Sequence, residues 1–307
     1  MIAPSGEQIE IVHTDQRAVV VEVGAGLRSY SANGSELLDG YDHGEMSSCG
    51  RGQVLSPWPN RIQDGRYRFA GRDHQLPVDD VDEQDAIHGL VRWEAWTVRE
   101  RAESRVSMEH VLHPRPGYPF TLRLDVEYRL SDRGLQVRTT ARNIGADACP
   151  YGTGNHPYLA TAEPTVDSLT LRVPARTILR SDERGIPTGS LPVEGTEYDF
   201  RRPRPIGSTV LDHAFTDLER DADGRARVEL GAPDGTGGVA LWVDETYTCL
   251  MLFTGDPLPD VARRSLAVEP MTCPPNAFRT GEGLIELQPG QAITSCWGID
   301  PAGAAAA

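Results

Sequence analysis

Two residues able to carry a proton stand immediately before prolines: His156 in NHPYL and Glu269 in VEPMT. Proline confines the residue before it to extended backbone, which fixes the direction its side chain takes. An imidazole and a carboxylate held in this way suffice for general acid–base chemistry. Three further candidates are His88 in AIHGLVRW, Arg61 in PWPNRI and Asp212 in VLDHAF, beside His213. Each also has an ordinary structural reading: a satisfied core histidine, a fork that pins a loop, a turn or cap residue. Gly89 permits close approach of another backbone or of a ligand to His88. Within SLAVEPM, alternation puts Leu266 and Val268 on one face and Ala267 and Glu269 on the other. Glu269 therefore either faces water or lines a cleft. A metal held by His88, His156 and His213 lacks any close-spaced ligand pair, so no metal is expected.

Other chemistries are excluded by what the chain does not contain. All 30 basic residues are arginine, so Schiff-base chemistry, a pyridoxal phosphate anchor and a phosphate-loop lysine are ruled out together. There is no G-x-S-x-G elbow and no H-E-x-x-H. The glycine pairs in VEVGAGLRSY and YGTGNHPY stop short of a dinucleotide-binding fingerprint. The five cysteines are dispersed and form no C-x-x-C pair, which points to reduced thiols. A formal charge of −15 opposes nucleic acid and anionic membranes, leaving small neutral ligands open. The polar N-terminus and the lack of a long apolar run predict a cytoplasmic protein. The acidic run DDVDEQD (79–85) reads as a solvated loop, without the glycine and spacing of a calcium loop. RRPRP, with Arg201, Arg202 and Arg204, reads as a stiffened surface loop, with phosphate binding as the sharper alternative.

The elements that must position these residues have period two. In TLRLDVEYRL, Leu122, Leu124, Val126, Tyr128 and Leu130 alternate with polar residues. The turn SDRG and the alternating LQVRTTARN follow, predicting an antiparallel hairpin. RYRFAGRDHQL predicts a second hairpin bent at Ala70-Gly71. Further strands are expected at 18–23, 169–173, 226–231, 238–243, 247–253, 265–269 and 292–298. Helical periodicity is nearly absent, and 31 Gly and 23 Pro punctuate the chain. The fold class is therefore all-β, a large antiparallel β-sandwich. No linker divides the chain, so residues 1–302 are expected to form one domain, with 303–307 a frayed tail.

Five segments taken in order, GQVLSPWPNRIQDGRYRFAG, AIHGLVRW, GTGNHPYL, VLDHAF and AVEPMTCPPNAF, resemble the aldose 1-epimerase (mutarotase) family. The match covers most of the chain from about residue 50 onward. The resemblance implies a galactose mutarotase-like β-sandwich with an open sugar-binding cleft and no cofactor or metal. It implies Glu269 as general base and His156 as general acid. Arg61, His88 and Asp212 are implied as substrate-binding groups that hold the sugar, with His88 assisting proton transfer. The expected reaction is interconversion of the α- and β-anomers of a free aldohexose by ring opening and reclosure. The expected partner is a small-molecule sugar, and the expected state a monomer or homodimer. The alternatives are a hexose-6-phosphate mutarotase, a glycoside hydrolase and a non-catalytic sugar-binding protein. For His156 to serve as an acid its cation needs nearby negative charge, so an acidic partner is expected within hydrogen-bonding distance of His156 or of the bound sugar.

Overall fold

Alternation along Leu122–Ser131 and Gly134–Asn143 folds these strands into a hairpin whose register runs from Leu122↔Asn143 to Ser131↔Gly134. Leu122, Leu124, Val126, Tyr128 and Leu130 are all buried, as are Leu135, Val137 and Ala141 on the facing strand. The computed structural model describes residues 2–232, 237–258 and 260–301; the predicted tail at 303–307 lies outside the described residues. This hairpin sits within a nine-stranded antiparallel sheet. Its strand order is Thr97–Ala102, Arg105–Leu112, Leu122–Ser131, Gly134–Asn143, Ala292–Pro301, Gly238–Val243, Ala226–Gly231, Thr170–Arg172 and Arg204–Pro205.

A second, eight-stranded sheet carries the candidate residues Glu269 and Asp212. Its order is Pro187–Pro192, Ala175–Ser181, Asp212–Leu218, Cys249–Phe253, Leu266–Met271, Gly154–Asn155 and Val54–Leu55, with Tyr158–Leu159 also paired to Leu266–Met271. Leu250, Leu252, Leu266, Val268 and Phe215 from this sheet join Leu124, Val126 and Val137 from the other in one apolar core. The fold is thus an antiparallel β-sandwich. The N-terminal strands Gln8–His13, Gln16–Val21, Leu27–Ala32 and Ser35–Glu36 make a four-stranded sheet that adds Ile9, Ile11 and Val20 to the same core. A buried hydrogen bond from the Tyr128 hydroxyl to Ala25 O (2.7 Å) ties that region to the long hairpin.

The seven predicted strands are all present. The segment expected at 265–269 runs on through Pro270 to Met271. The ladder places Pro270 opposite Leu250 in a register that continues on both sides. The expected hairpin at Ala70-Gly71 joins Arg66–Phe69 to Arg72–Gln75. No helix among the described residues is long and apolar enough to cross a membrane.

Candidate active site

Parity within the eight-stranded sheet builds the site. The ladder pairs Ala214 with Met251 and Met251 with Glu269, so these three side chains stand in a row on one face. Asp212, two residues before Ala214, projects on that same face. On this face Ala214, Cys249, Met251 and Met271 form a small apolar cluster beside Glu269, separate from the main core. The neighbours Val268, Leu250 and Leu252 point the other way, into the main core. Glu269 is consequently a buried carboxylate, 3% exposed, on a central strand.

His156 reaches it from the short segment between Gly154–Asn155 and Tyr158–Leu159. Its N–H donates to Gln53 O (3.1 Å) and its carbonyl accepts from Gly52 N–H (2.9 Å), locking the backbone on both sides of the ring. Gly50 lies against the imidazole edge: a Cβ there would fall 2.5 Å from His156 Cδ2. His156 Nε2 stands 3.4 Å from Glu269 Oε1, both side chains being nearly inaccessible. The remaining heteroatoms, His156 Nδ1 and Glu269 Oε2, have no hydrogen-bond partner among the described residues. The acidic neighbour expected for His156 is thus Glu269 itself. Its effect on the free imidazole needs correction, because burial dominates and pushes His156 down to about 3, with Arg51 and Arg92 adding repulsion. Burial likewise raises the Glu269 carboxyl well above the usual carboxylate range; Asp212 reinforces this and Arg61 opposes it.

These shifts have one chemical meaning. An imidazolium beside a carboxylate and a neutral imidazole beside a carboxylic acid hold the same number of protons. In a dry site the neutral arrangement is favoured, since burial penalises both charges.

His88 completes the cluster. Its ring meets that of His156 edge-on, with centroids 5.3 Å apart. The residue adopts φ 61°, and the close approach permitted by Gly89 is used by the Ser56 backbone, whose carbonyl oxygen would lie 2.1 Å from a Cβ. The Asn60 N–H donates to His88 Nδ1 (3.2 Å), which puts the proton of the neutral ring on Nε2. That assignment bears on metals. His88, His156 and Glu269 each bring one possible ligand atom within 4.8 Å of the others. With Nδ1 engaged and Nε2 protonated, however, neither His88 nitrogen offers a free lone pair. The donor set therefore suits hydrogen bonding better than coordination. His213, the third histidine considered from sequence, leaves the group and packs on Tyr198 (4.4 Å between centroids).

Arg61 is held at both ends. Its N–H donates to Asn60 Oδ1 (2.9 Å), its carbonyl accepts from Asn276 N–H (2.7 Å), and its Nε donates to Asp80 Oδ2 (2.8 Å). Asp212 reaches solvent, yet its surroundings withdraw enough water to raise its carboxyl, against the pull of Arg61 and His213. The acidic run at 79–85, expected to be solvated, is instead partly structural. Asp80 grips Arg61, and Asp79 pairs with Arg92 (2.8 Å). Asp85 is fully buried, paired with Arg184 (2.6 Å). Long-range pairing of this kind leaves no period in the sequence. In RRPRP, Arg201 forks onto Asp199 (2.9 and 2.7 Å), and Arg204 covers the Phe200 ring, 3.8 Å from its centroid. Both guanidinium groups are engaged locally.

The chain is similar to known proteins in both sequence and fold. The sequence profile of the aldose 1-epimerase family matches residues 7–297. An uncharacterized Escherichia coli protein, YihR, is 36% identical over 94% of this chain and 91% of its own length. Human galactose mutarotase is 31% identical over 52% of this chain and 48% of its own length. Among solved structures, an aldose epimerase homologue from C. elegans superposes with a TM-score of 0.84 at 19% identity, covering 96% of this chain and 98% of that one. A galactose mutarotase-like protein from Clostridium acetobutylicum gives 0.85 at 16%, covering 98% and 97%. The chain belongs to the aldose 1-epimerase family.

Proposed function

We propose that this family member is an aldose 1-epimerase that interconverts the α- and β-anomers of a free aldohexose, with Glu269 as base and His156 as acid. The observation that carries the reading is the buried His156–Glu269 pair, 3.4 Å apart, with one unpartnered heteroatom left on each side chain. Anomer exchange requires a proton to leave the C1 hydroxyl and another to reach the ring oxygen. Glu269 accepts the first and His156 Nε2 supplies the second as the C1–O5 bond breaks. The aldehyde carbon turns about C1–C2. The ring then closes on its other face, the imidazole recovering its proton from O5 while the carboxyl returns one to O1.

One proton shuttles over the pair throughout. The cyclic sugar binds to imidazolium and carboxylate, and the open-chain sugar lies between neutral imidazole and carboxylic acid. Burial favours the neutral arrangement in the resting site, so ring opening moves the pair in the direction its environment already prefers. Acid–base assistance of this kind contributes about 10²–10⁴-fold per group. Arg61, braced by Asp80, and His88, donating through Nε2, hold sugar oxygens in place, and Asp212 accepts from a hydroxyl at the open edge. Activity needs the singly protonated pair, so the rate falls on the acid side when a second proton binds and on the alkaline side when the last is lost. The pH profile is expected to be bell-shaped.

Magnetisation transfer between the α and β anomeric proton signals tests the reading at equilibrium, without coupling enzymes. Exchange of glucose, galactose or another free aldose above the buffer rate is the expected result. Exchange confined to 6-phosphorylated sugars would transfer the assignment to a hexose-6-phosphate mutarotase. No acceleration of any aldose, free or phosphorylated, would refute epimerase activity.

A further inference from the structure

Against the His156 ring the chain builds a stack that the proton transfers above do not use. Residues 156 and 158 lie two apart in extended backbone, so their side chains share a face. The Tyr158 ring accordingly lies flat against the imidazole, with centroids 5.0 Å apart and planes 13° from parallel. The guanidinium of Arg51 lies over the same Tyr158 ring, 4.5 Å from its centroid. Arg51 is only 3% exposed. Burying an arginine is costly unless it is paired, and Asp39 supplies the pair at 3.1 Å. Asp39 also accepts from Arg264 Nη2 (2.7 Å) and Ser265 Oγ (2.8 Å), at the start of the strand that carries Glu269. The Tyr158 hydroxyl donates to Cys49 O (2.8 Å), two residues before Arg51. Tyr158 is thus held against both the histidine ring and the buried arginine.

Resting on the acid–base reading of His156 and Glu269, we propose that Arg51 is a positioning residue, which through Tyr158 sets the plane of the His156 ring and keeps the pair's shared proton on Glu269 until a sugar intervenes. A buried cation held on an aromatic ring disfavours a second cation on an imidazole that packs against the same ring. The charges facing His156 can be taken element by element. Glu269 fronts it from the central strand, and His88 and Arg92 flank it from the loop after Ala86–Ile87. Tyr158 packs on it and carries Arg51. Asp39 is balanced by two arginines, Arg51 and Arg264, so this group is positive on balance. Arg51 accordingly adds to the burial that holds the imidazole neutral.

The test follows the His156 ring directly, by ¹⁵N shifts of its imidazole, and in parallel the pH profile of anomer exchange. In Arg51→Met, His156 should protonate about one pH unit higher, carrying the acid limb of kcat the same way, a shift equivalent to a tenfold change in proton affinity. KM should stay within about twofold, because no sugar contact is removed. Arg51→Lys should restore most of the wild-type profile. Should Arg51→Met fold poorly, Tyr158→Leu serves instead, since it leaves the Arg51–Asp39 bridge intact while removing the aromatic ring. An unmoved His156 titration in a folded Arg51→Met or Tyr158→Leu variant overturns the proposal. So does equal loss of activity at every pH that Lys fails to rescue, which marks a merely structural arginine. The ring titration is read without substrate, so it stands or falls separately from epimerase activity.

Discussion

The strand Leu266–Met271 is buried on both faces, and its two faces are built to opposite ends. On one, Leu266 and Val268 join Leu250, Leu252 and Phe215 in a core where only apolar surface meets. On the other, Glu269 stands beside Ala214, Met251 and Met271, facing His156 with polar atoms left unpartnered. Burial stabilises the first face and costs stability on the second, because it penalises charge that the site cannot fully compensate. The difference teaches that the same dryness which holds the sandwich together sets the proton affinities of the pair above it.

That contrast can be broken at single residues. Glu269→Gln should lower kcat by about 10²–10⁴-fold while the fold is kept. Melting temperature should hold or rise, and by more at pH 8 than at pH 5. The sign follows from a folded carboxyl raised above its usual 4.5, which gives the folded state the greater hold on the proton and makes stability fall as pH climbs past that value. Leu252→Ala, on the adjacent strand opposite Val268 and facing the main core, should do the reverse. Denaturant unfolding should show a loss of about 2–5 kcal/mol, with the activity of the folded fraction largely unchanged.

His156→Asn should cost activity on the scale of Glu269→Gln but shift stability in the opposite pH window. The wild-type imidazole titrates at about 3, below its ordinary 6.5, so the unfolded chain binds the proton more readily and stability drains as pH falls from about 6.5 toward 3. The asparagine variant should lose that part of the acid sensitivity, which urea melts at pH 7 and pH 4.5 would reveal. A smaller effect is expected behind Arg61. Asp80→Asn frees its guanidinium, and initial-rate kinetics should show KM raised about 3–10-fold with kcat less affected, the pattern of weakened ground-state binding. Smallest of all is Arg201→Ala, whose solvent-screened pair with Asp199 should leave both the melting temperature and the exchange of free sugars nearly unaltered.

How much of this was legible in the sequence depended on whether the information was local. The hairpin from Leu122 to Asn143 announces itself because each residue's fate follows from its neighbour two positions away. The opposition of Val268 and Glu269 was legible for the same reason, as was the constrained backbone before Pro157 and Pro270. The five candidate residues came with the resemblance of five segments, and local chemistry alone left each with an ordinary alternative. The strands Ala175–Ser181 and Asp212–Leu218 escaped, since their alternation is interrupted by residues that serve the site or the sheet edge. The acidic run misled, because its role is to meet Arg61, Arg92 and Arg184, and such meetings are decided by folding rather than by spacing. Arg51 and Tyr158 went unnoticed, although the two-residue interval in His-Pro-Tyr was a usable signal that the rings share a face.

The central claim is that His156 and Glu269 carry one proton between them and use it to open the sugar ring. Polarimetry of freshly dissolved α-D-galactose and α-D-glucose across a range of pH, with wild type, Glu269→Gln and His156→Asn, tests it most directly. The account predicts a wild-type rate above buffer with a bell-shaped profile, and both variants near the buffer rate with no bell. A wild type no faster than buffer on these and other free aldoses would contradict it. So would a folded Glu269→Gln variant that retained the wild-type rate and profile.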